Sequence, residues 1–309
     1  MSANSKIEWT DHTFNPWIGC TKVSNAATGG GGCDHCYAEV STPARVLRSK
    51  GKETWGTGAP RIRTSEANWK LPLRWNAQHA AFFAQHGRRQ RVFCASLADV
   101  FDNAVAPAWR VDLIRLIEAT PNLDWLLLTK RIGNALGMVP HDWLALDGWP
   151  AHVWLGATVV NQVEADRDIP KLLAVPARMR FLSMEPLLGP VDLRLQRPAR
   201  DEDRQDLDGW CSHITTAAGA GIKWVIAGGE SGFDARPMHP AWARSLRDQC
   251  EAAGVPYLFK QWGAFFPKSN SPGLAEPDRN PDLMIRIGKK AAGRLLDGRE
   301  WNEVPHVAA

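Results

Sequence analysis

The sequence predicts an α/β protein built as a full or partial (β/α) barrel with parallel strands. Two observations support this fold class. Short apolar runs recur along the 309-residue chain, and their continuous hydrophobic character is typical of strands buried on both faces of a parallel sheet. Each run ends in a polar residue and leads into a helical segment, which gives about seven β-α units. A doubly wound open sheet is the alternative, because periodicity alone does not separate the two folds.

The predicted elements follow one another along the whole chain. The first strand is the extended segment TFNPWIGC, and the later strands are RVFCASLADVF, DWLLLTKR, HVWLGATVV, MRFLSMEPLLG, KWVIAGGESG and PYLFKQWG. The predicted helices include YAEVSTPARVLRSKG, APAWRVDLIRLIEAT and HPAWARSLRDQCEAAG. Pro107 and Pro240 stand near the starts of the last two helices, where proline is favoured, and Gly254 is a suitable C-terminal cap.

One barrel-like domain is predicted over residues 1–263. Within it, residues 191–222 are polar and charged, which indicates an insertion or a loop. Residues 264–309 are predicted to form a C-terminal extension that packs on the barrel.

Composition and charge argue against a membrane protein and permit a nucleic-acid partner. The chain has no apolar run long enough to cross a bilayer, and its N-terminus lacks the apolar core of a signal peptide, so we expect a cytoplasmic protein. The formal net charge of +4 is mildly basic. Basic clusters at residues 86–91 and 287–299 add to the expectation of a DNA or nucleotide partner.

Polar and charged residues follow the predicted strands, at the edge where ligands bind in parallel β/α folds. Both signs of charge occur there, which suits a zwitterionic ligand. The glycines of GGESG would let the backbone approach such a ligand closely. The candidate cofactor-binding residues are Asp99, Lys130, Glu185, Gly228, Gly229 and Glu230, and the candidate substrate-binding residues are Lys260, Gln261 and Trp262.

Three of the six cysteines, Cys20, Cys33 and Cys36, lie in one glycine-rich segment after the first strand. A structural zinc site needs four ligands, and the fourth would have to be a residue such as His12 or His35. A [4Fe–4S] cluster held by only three thiolates leaves one iron open, and this open iron is the defining feature of radical S-adenosylmethionine (SAM) chemistry. The three cysteines are therefore candidate metal ligands, for an iron–sulfur cluster or alternatively for zinc. A third interpretation is that they lie in an inert loop that binds no metal.

Several segments together resemble the phage-encoded three-cysteine-motif proteins, a family of phage proteins of unknown function. They are EWTDHTFNPWIGCTKVS, CDHCYAE, FLSMEPLLGPVDL, VIAGGESGFDARPMHP, LRDQCEAAGVPYLFKQWG and KKAAGRLLDGREWNEVP. The resemblance covers nearly the whole chain and implies a radical-SAM-like barrel. Radical SAM enzymes typically use C-x3-C-x2-C, whereas twelve residues separate the first two cysteines here and His35 takes the usual aromatic position. Tyr37 after the cysteine pair resembles the photoproduct lyase branch, which repairs thymine lesions in DNA.

The sequence therefore predicts a radical SAM enzyme with a [4Fe–4S] cluster and SAM as cofactors. Its predicted substrate is a nucleic-acid base or nucleotide that undergoes repair or modification, and no catalytic residue can be named. The alternative is a zinc-stabilised nucleic-acid-binding phage accessory protein without catalysis. If the chain is phage-encoded, the cytoplasm is that of the bacterial host.

Overall fold

The computed structural model describes residues 5–23, 31–194, 221–268 and 283–305. Most of the predicted insert at 191–222 lies outside these ranges, as does Cys211. Two of the four consecutive glycines after Cys20, Gly31 and Gly32, are described.

Eleven strands occur in the described residues, and seven of them form one sheet. They are β1 (His12–Thr13), β2 (Trp17–Ile18), β3 (Ile62–Arg63), β4 (Gln90–Cys94), β5 (Leu123–Thr129), β6 (Val153–Thr158), β7 (Met179–Met184), β8 (Trp224–Gly228), β9 (Tyr257–Gln261), β10 (Phe265–Pro267) and β11 (Met284–Arg286). The sheet has the order β1-β4-β5-β6-β7-β8-β9, and the pairs β1–β4, β4–β5, β5–β6, β7–β8 and β8–β9 are parallel.

This sheet confirms a mixed α/β fold with parallel strands. Its strands follow one another in chain order, as in a partial barrel, whereas a doubly wound sheet reverses its order at a switch point. β1 and β9 stand at the two ends of that order. All five residues of β8 are buried, as are all six of β6, which explains their continuous apolar sequence.

Ten α-helices occur in the described residues, most of them between strands. They are α1 (Thr42–Ser49), α2 (Glu66–Trp69), α3 (Leu71–Ala77), α4 (His79–His86), α5 (Pro107–Glu118), α6 (Ala135–Met138), α7 (His141–Leu144), α8 (Gln162–Ala174), α9 (Pro240–Ala253) and α10 (Lys289–Ala292).

Local sequence signals set the helix ends. α5 and α9 begin at Pro107 and Pro240. α9 ends at Ala253 and is capped by Gly254, whose φ of 66° is left-handed, so the predicted caps are confirmed. α1 starts later than the sequence predicts, because the side chain of Ser41 caps it by accepting from the backbone N–H of Ala44.

The described chain divides into two compact units. Unit 1 comprises the described residues of Met1–Ala157 and Ala174–Met179, and unit 2 those of Thr158–Leu173 and Arg180–Pro305. The core of unit 1 is rich in tryptophan, with Trp9, Trp17 and Trp125 all nearly inaccessible to solvent.

Within unit 2, the described C-terminal residues pack on β9. The backbone N–H of Phe259 donates to the carbonyl of Trp301, and Trp301 is itself buried against Tyr257. None of the helices in the described ranges combines the length and the apolarity that crossing a bilayer requires.

Candidate functional site

The first thiol, Cys20, is held against a neighbouring segment of unit 1. Its backbone N–H donates to the carbonyl of Thr54 at 3.2 Å, and its carbonyl accepts from Gly56 at 3.0 Å. Gly19 precedes it with a φ of 113°, and a Cβ there would lie 2.4 Å from the Thr54 oxygen. Glycine is therefore required at position 19 for the segment at Cys20 to approach residues 54–56.

The other two thiols are brought into the same neighbourhood of unit 1. Cys20 and Cys36 both pack against one small apolar cluster, which consists of Ala38, Ala44, Trp55 and Leu97. Cys33 is buried and interacts electrostatically with Cys36. The described structure thus places Cys20 and Cys36 against the same cluster and Cys33 within electrostatic reach of Cys36, although twelve residues lie between Cys20 and Cys33 in the sequence.

Asp99 organises the turn after β5, next to Cys20. Its Oδ1 accepts from the Thr129 hydroxyl at 2.7 Å and from the Phe101 N–H at 2.9 Å. Its Oδ2 accepts from the Lys130 N–H at 3.0 Å and from the Arg131 guanidinium at 3.2 Å. Because both oxygens are engaged by the protein, the contacts of Asp99 are those of a residue that positions its neighbours.

Arg131 links this turn to the cysteines. Its Nη1 lies 3.4 Å from the Sγ of Cys20, and its Nη2 donates to the carbonyl of Thr21. Lys130 forms no ion pair with an acid in the described part of the chain, and its charge acts on Cys33. Two cations therefore stand beside the thiols at the carboxyl end of β5.

Burial and these charges oppose one another at the thiols. Burial, helped by the negative charge of Asp99, raises the pKa of Cys20 to about 12, while Arg131 acts to lower it. Burial also raises the pKa of Cys33, and Lys130 and Arg131 oppose that rise. At neutral pH both thiols are therefore protonated unless a further positive charge, such as a metal, draws off the protons.

In the described ranges, no group of three or more His, Cys, Asp and Glu side chains has the spacing of a metal site. One observation nevertheless points to a ligand beside the thiols. Trp55, in the apolar cluster that contacts Cys20 and Cys36, is only 6% exposed, and its Nε1 has no hydrogen-bond partner among the described residues. A buried N–H of this kind usually has an acceptor.

The two histidines considered as a fourth zinc ligand lie in different settings. His12 is on β1, its ring is stacked on Trp75 at 4.1 Å between centroids, and its Nε2 lies 2.9 Å from the Oε1 of Gln90. His35 is exposed between Cys33 and Cys36. Tyr37, next to the pair, donates to the carbonyl of Ser96 at 2.9 Å.

In unit 2, the candidate carboxylates are paired with cations at the strand ends. Glu185 follows β7 and lies 3.0 Å from the Nζ of Lys260 on β9. Glu230 is buried after β8, and its two oxygens accept from the guanidinium of Arg236 at 2.7 and 2.9 Å. Two predicted cofactor and substrate residues, Glu185 and Lys260, thus contact each other directly.

The first two glycines of GGESG are required by the protein's own packing. A Cβ on Gly229 would lie 1.9 Å from the carbonyl oxygen of Trp262, and one on Gly228 would lie 2.8 Å from the Oε1 of Glu185. The space that a side chain at Gly228 or Gly229 would fill is therefore occupied by protein atoms of Glu185 and Trp262.

The two remaining candidate residues of β9 and its end differ in their surroundings. Trp262 is 1% exposed, and its Nε1 donates to the carbonyl of Leu295 at 2.8 Å, as a core residue would. Gln261 is also buried, and its Nε2 lies 3.3 Å from the Ser231 hydroxyl. The Oε1 of Gln261 has no hydrogen-bond partner among the described residues, which leaves a buried acceptor for a ligand donor.

Sequence reasoning did not select three residues that the structure places in these networks. Arg131 was visible as a charged residue at a strand end, but nothing in the sequence separated it from Lys130. Arg236 pairs with a carboxylate six residues earlier, and that spacing is no signal by itself. Trp55 is one of fifteen tryptophans, and its position beside the thiols depends on the fold.

Comparison with known protein families gives a match over nearly the whole chain. Residues 4–305 match the model of the family described as protein of unknown function (DUF5131). No curated protein and no solved structure matches the chain.

Proposed function

The chain belongs to the DUF5131 family, whose function is unknown, and we propose that it is a radical SAM enzyme that acts on a nucleic-acid base or nucleotide. The observation that carries the proposal is the neighbourhood of the three thiols. Cys20 and Cys36 pack against one apolar cluster, and Cys33 interacts electrostatically with Cys36. Arg131 contacts Cys20, and the charge of Lys130 acts on Cys33.

The donor set fits a [4Fe–4S] cluster. Three thiolates would hold three irons and leave the fourth for SAM. When bound, such a cluster supplies the electron that cleaves SAM reductively. Since no three described acid, imidazole or thiol groups have metal-site spacing, cluster binding would require the three thiols to move closer together.

The chain's own residues contribute charge and hydrogen bonds to this site. Lys130 and Arg131 stabilise thiolates and an anionic cluster by their positive charge. Asp99 holds Arg131 in position. The N–H of Trp55 is a donor for a sulfur atom, and donors of this kind beside sulfur ligands tune the reduction potential of a cluster.

Two of the unit 2 candidates suit ligand recognition. The buried Oε1 of Gln261 can accept from an N–H or O–H group of a substrate, and the edge of a nucleic-acid base offers such donors. Lys260 is paired with Glu185. A carboxylate or phosphate of a ligand could take the place of Glu185 in this ion pair. The remaining support comes from the mild basic charge and from the resemblance to phage-encoded three-cysteine-motif proteins.

The proposal is tested by anaerobic purification, iron and sulfide analysis, and reduction with dithionite in the presence of SAM. We expect a brown protein that releases 5′-deoxyadenosine. Cys20→Ser should remove both properties, whereas Cys94→Ser should keep them, because Cys94 is a buried thiol on β4 and is not one of the candidate ligands. A wild-type protein that binds iron but releases no 5′-deoxyadenosine would contradict the proposal.

The same preparation distinguishes the alternative, a zinc-stabilised nucleic-acid-binding protein without catalysis. That protein would be colourless and would bind about one zinc per chain. It would also need a fourth ligand. The contact of His12 with Gln90 weighs against that histidine and leaves His35 as the nearer candidate in sequence.

A further inference from the structure

An exposed phenylalanine follows the carboxyl end of β8 in unit 2. Phe233 is 89% exposed, although a ring of this size is normally buried at least in part. Arg286 on β11 holds the loop that presents it, by donating to the carbonyl of Gly232 at 2.6 Å and to that of Phe233. The loop is therefore fixed by hydrogen bonds that leave the ring in solvent.

The same arginine joins two aromatic rings. The Cζ of Arg286 lies 5.6 Å from the centroid of Phe233 and 5.6 Å from that of Phe265 on β10. These are cation–π distances. Arg286, Phe233 and Phe265 together form a surface that we name the Arg286 platform, with flat apolar faces and a positive charge.

Further cations stand next to this platform. Lys289 and Lys290 are exposed on α10, and neither makes an ion pair with an acid within the described ranges. The turn that carries them is fixed, because the N–H groups of Ile287 and Gly288 both donate to the carbonyl of Ala264, at 3.2 and 3.0 Å. The exposed Asp234, next to Phe233 in the chain, adds a negative charge near these cations.

The platform is also tied to the candidate substrate residues of unit 2. The N–H of Ala264 donates at 2.8 Å to the carbonyl of Glu230, which follows β8, and Gln261 lies at the end of β9. A polymer bound at the platform would therefore lie beside the carboxyl end of β9, where the buried Oε1 of Gln261 has no donor among the described residues.

We infer that the Arg286 platform binds single-stranded nucleic acid, with a base stacked on Phe233 and backbone phosphates paired with Lys289 and Lys290. Exposed aromatic rings flanked by cations are the usual combination for such strands, because each base offers a flat face and each linkage a negative charge. A duplex hides its base faces, and an acidic peptide would use the cations but not the ring. The choice of nucleic acid as partner rests on the proposed function.

The test measures binding of a fluorescein-labelled oligodeoxythymidine strand of about 16 nucleotides to the full chain by fluorescence anisotropy. Phe233→Ala should weaken binding about tenfold, and Phe233→Trp should restore it. The matched control is Leu146→Ala, which truncates a side chain of unit 1 that is 97% exposed and should change nothing.

Salt dependence tests the phosphate contacts. Replacing Lys289 and Lys290 by glutamine should lower the slope of log affinity against log salt by about 1.4, since each lost contact to a single strand removes about 0.7. The matched control replaces Lys50 and Lys52, which are exposed in unit 1, and should leave the slope unchanged.

Two results would overturn the inference. One is equal affinity of the wild type and Phe233→Ala for the strand. The other is stronger competition by an acidic peptide than by unlabelled strand. Because the assay needs no iron, a chain that binds the strand but assembles no cluster would contradict the proposed function alone, and a chain with cluster chemistry but no strand binding would contradict this inference alone.

Discussion

Replacing Asp99 by asparagine tests whether this carboxylate holds the turn beside the cysteines. Asparagine is isosteric and can keep the Oδ1 contacts with Thr129 and Phe101. It substitutes an NH₂ donor for Oδ2, which accepts from Lys130 and Arg131. The Lys130 N–H and the Arg131 guanidinium, both donors, would then face the NH₂ donor of the asparagine in a buried position.

The loss can be estimated from those two contacts. Both bonds have the charged carboxylate as their acceptor, and a bond to a charged group contributes about 2 kcal/mol, so the free energy of unfolding should fall by about 4 kcal/mol. Solvent screening reduces this little, because the two side chains of the Asp99–Arg131 pair are 6% and 12% exposed.

The assay is urea unfolding followed by tryptophan fluorescence, with Asp112→Asn as the matched control. Asp112 pairs with Arg63 at 2.9 Å, but its side chain is 43% exposed, so its replacement should cost about 0.5 kcal/mol or less. If Asp99→Asn cost no more than Asp112→Asn, Asp99 would not be the residue that holds Arg131 in position.

Two further predictions concern stability. Burial raises the pKa of Asp124 to about 6 from an ordinary 3.8. The contribution of this carboxyl to the free energy of unfolding is therefore present below about pH 3.8 and is lost as the pH rises through about 6. The loss amounts to about 3 kcal/mol. Urea unfolding at about pH 4 and pH 7 should show this loss in the wild type and not in Asp124→Asn; equal pH dependence in both would refute it. Gly229→Ala should lower the free energy of unfolding by about 3 kcal/mol or more, since its Cβ would lie 1.9 Å from the carbonyl oxygen of Trp262. Gly137→Ala is the control, because a Cβ there meets nothing within 4 Å, and similar stability of the two variants would show that the Trp262 contact is relieved without cost.

The strands of the sheet could be predicted because burial on both faces leaves a direct trace in the sequence. β8 is an example, since WVIAG is apolar throughout and every residue of it is buried. Helix ends could be predicted where one residue determines them, as at Gly254. The start of α1 was missed, because the cap at Ser41 competes with a helical pattern that runs back to Tyr37.

The surroundings of the candidate site residues could not be predicted, because they depend on contacts between distant parts of the chain. The sequence GGESG is compatible with close approach of a ligand, but the carbonyl that excludes a Cβ at Gly229 comes from Trp262. A tryptophan at a strand end is equally typical of a substrate contact and of a core, and only the fold shows that Trp262 is buried and bonded to Leu295.

The cysteines themselves illustrate both cases. Their clustering in the sequence predicted that they would be neighbours, and the apolar cluster shared by Cys20 and Cys36 agrees with that. The role of Arg131 beside Cys20 could be seen only in the fold, because the two residues are 111 positions apart in the sequence.

The most direct test of the central claim is electron paramagnetic resonance of the dithionite-reduced protein with and without SAM. The claim is that Cys20, Cys33 and Cys36 hold an iron–sulfur cluster with one iron left open. We predict an iron–sulfur signal that changes when SAM is added, and that is lost in Cys20→Ser and retained in Cys94→Ser. A signal that SAM leaves unchanged, or one that survives the loss of Cys20, would contradict it.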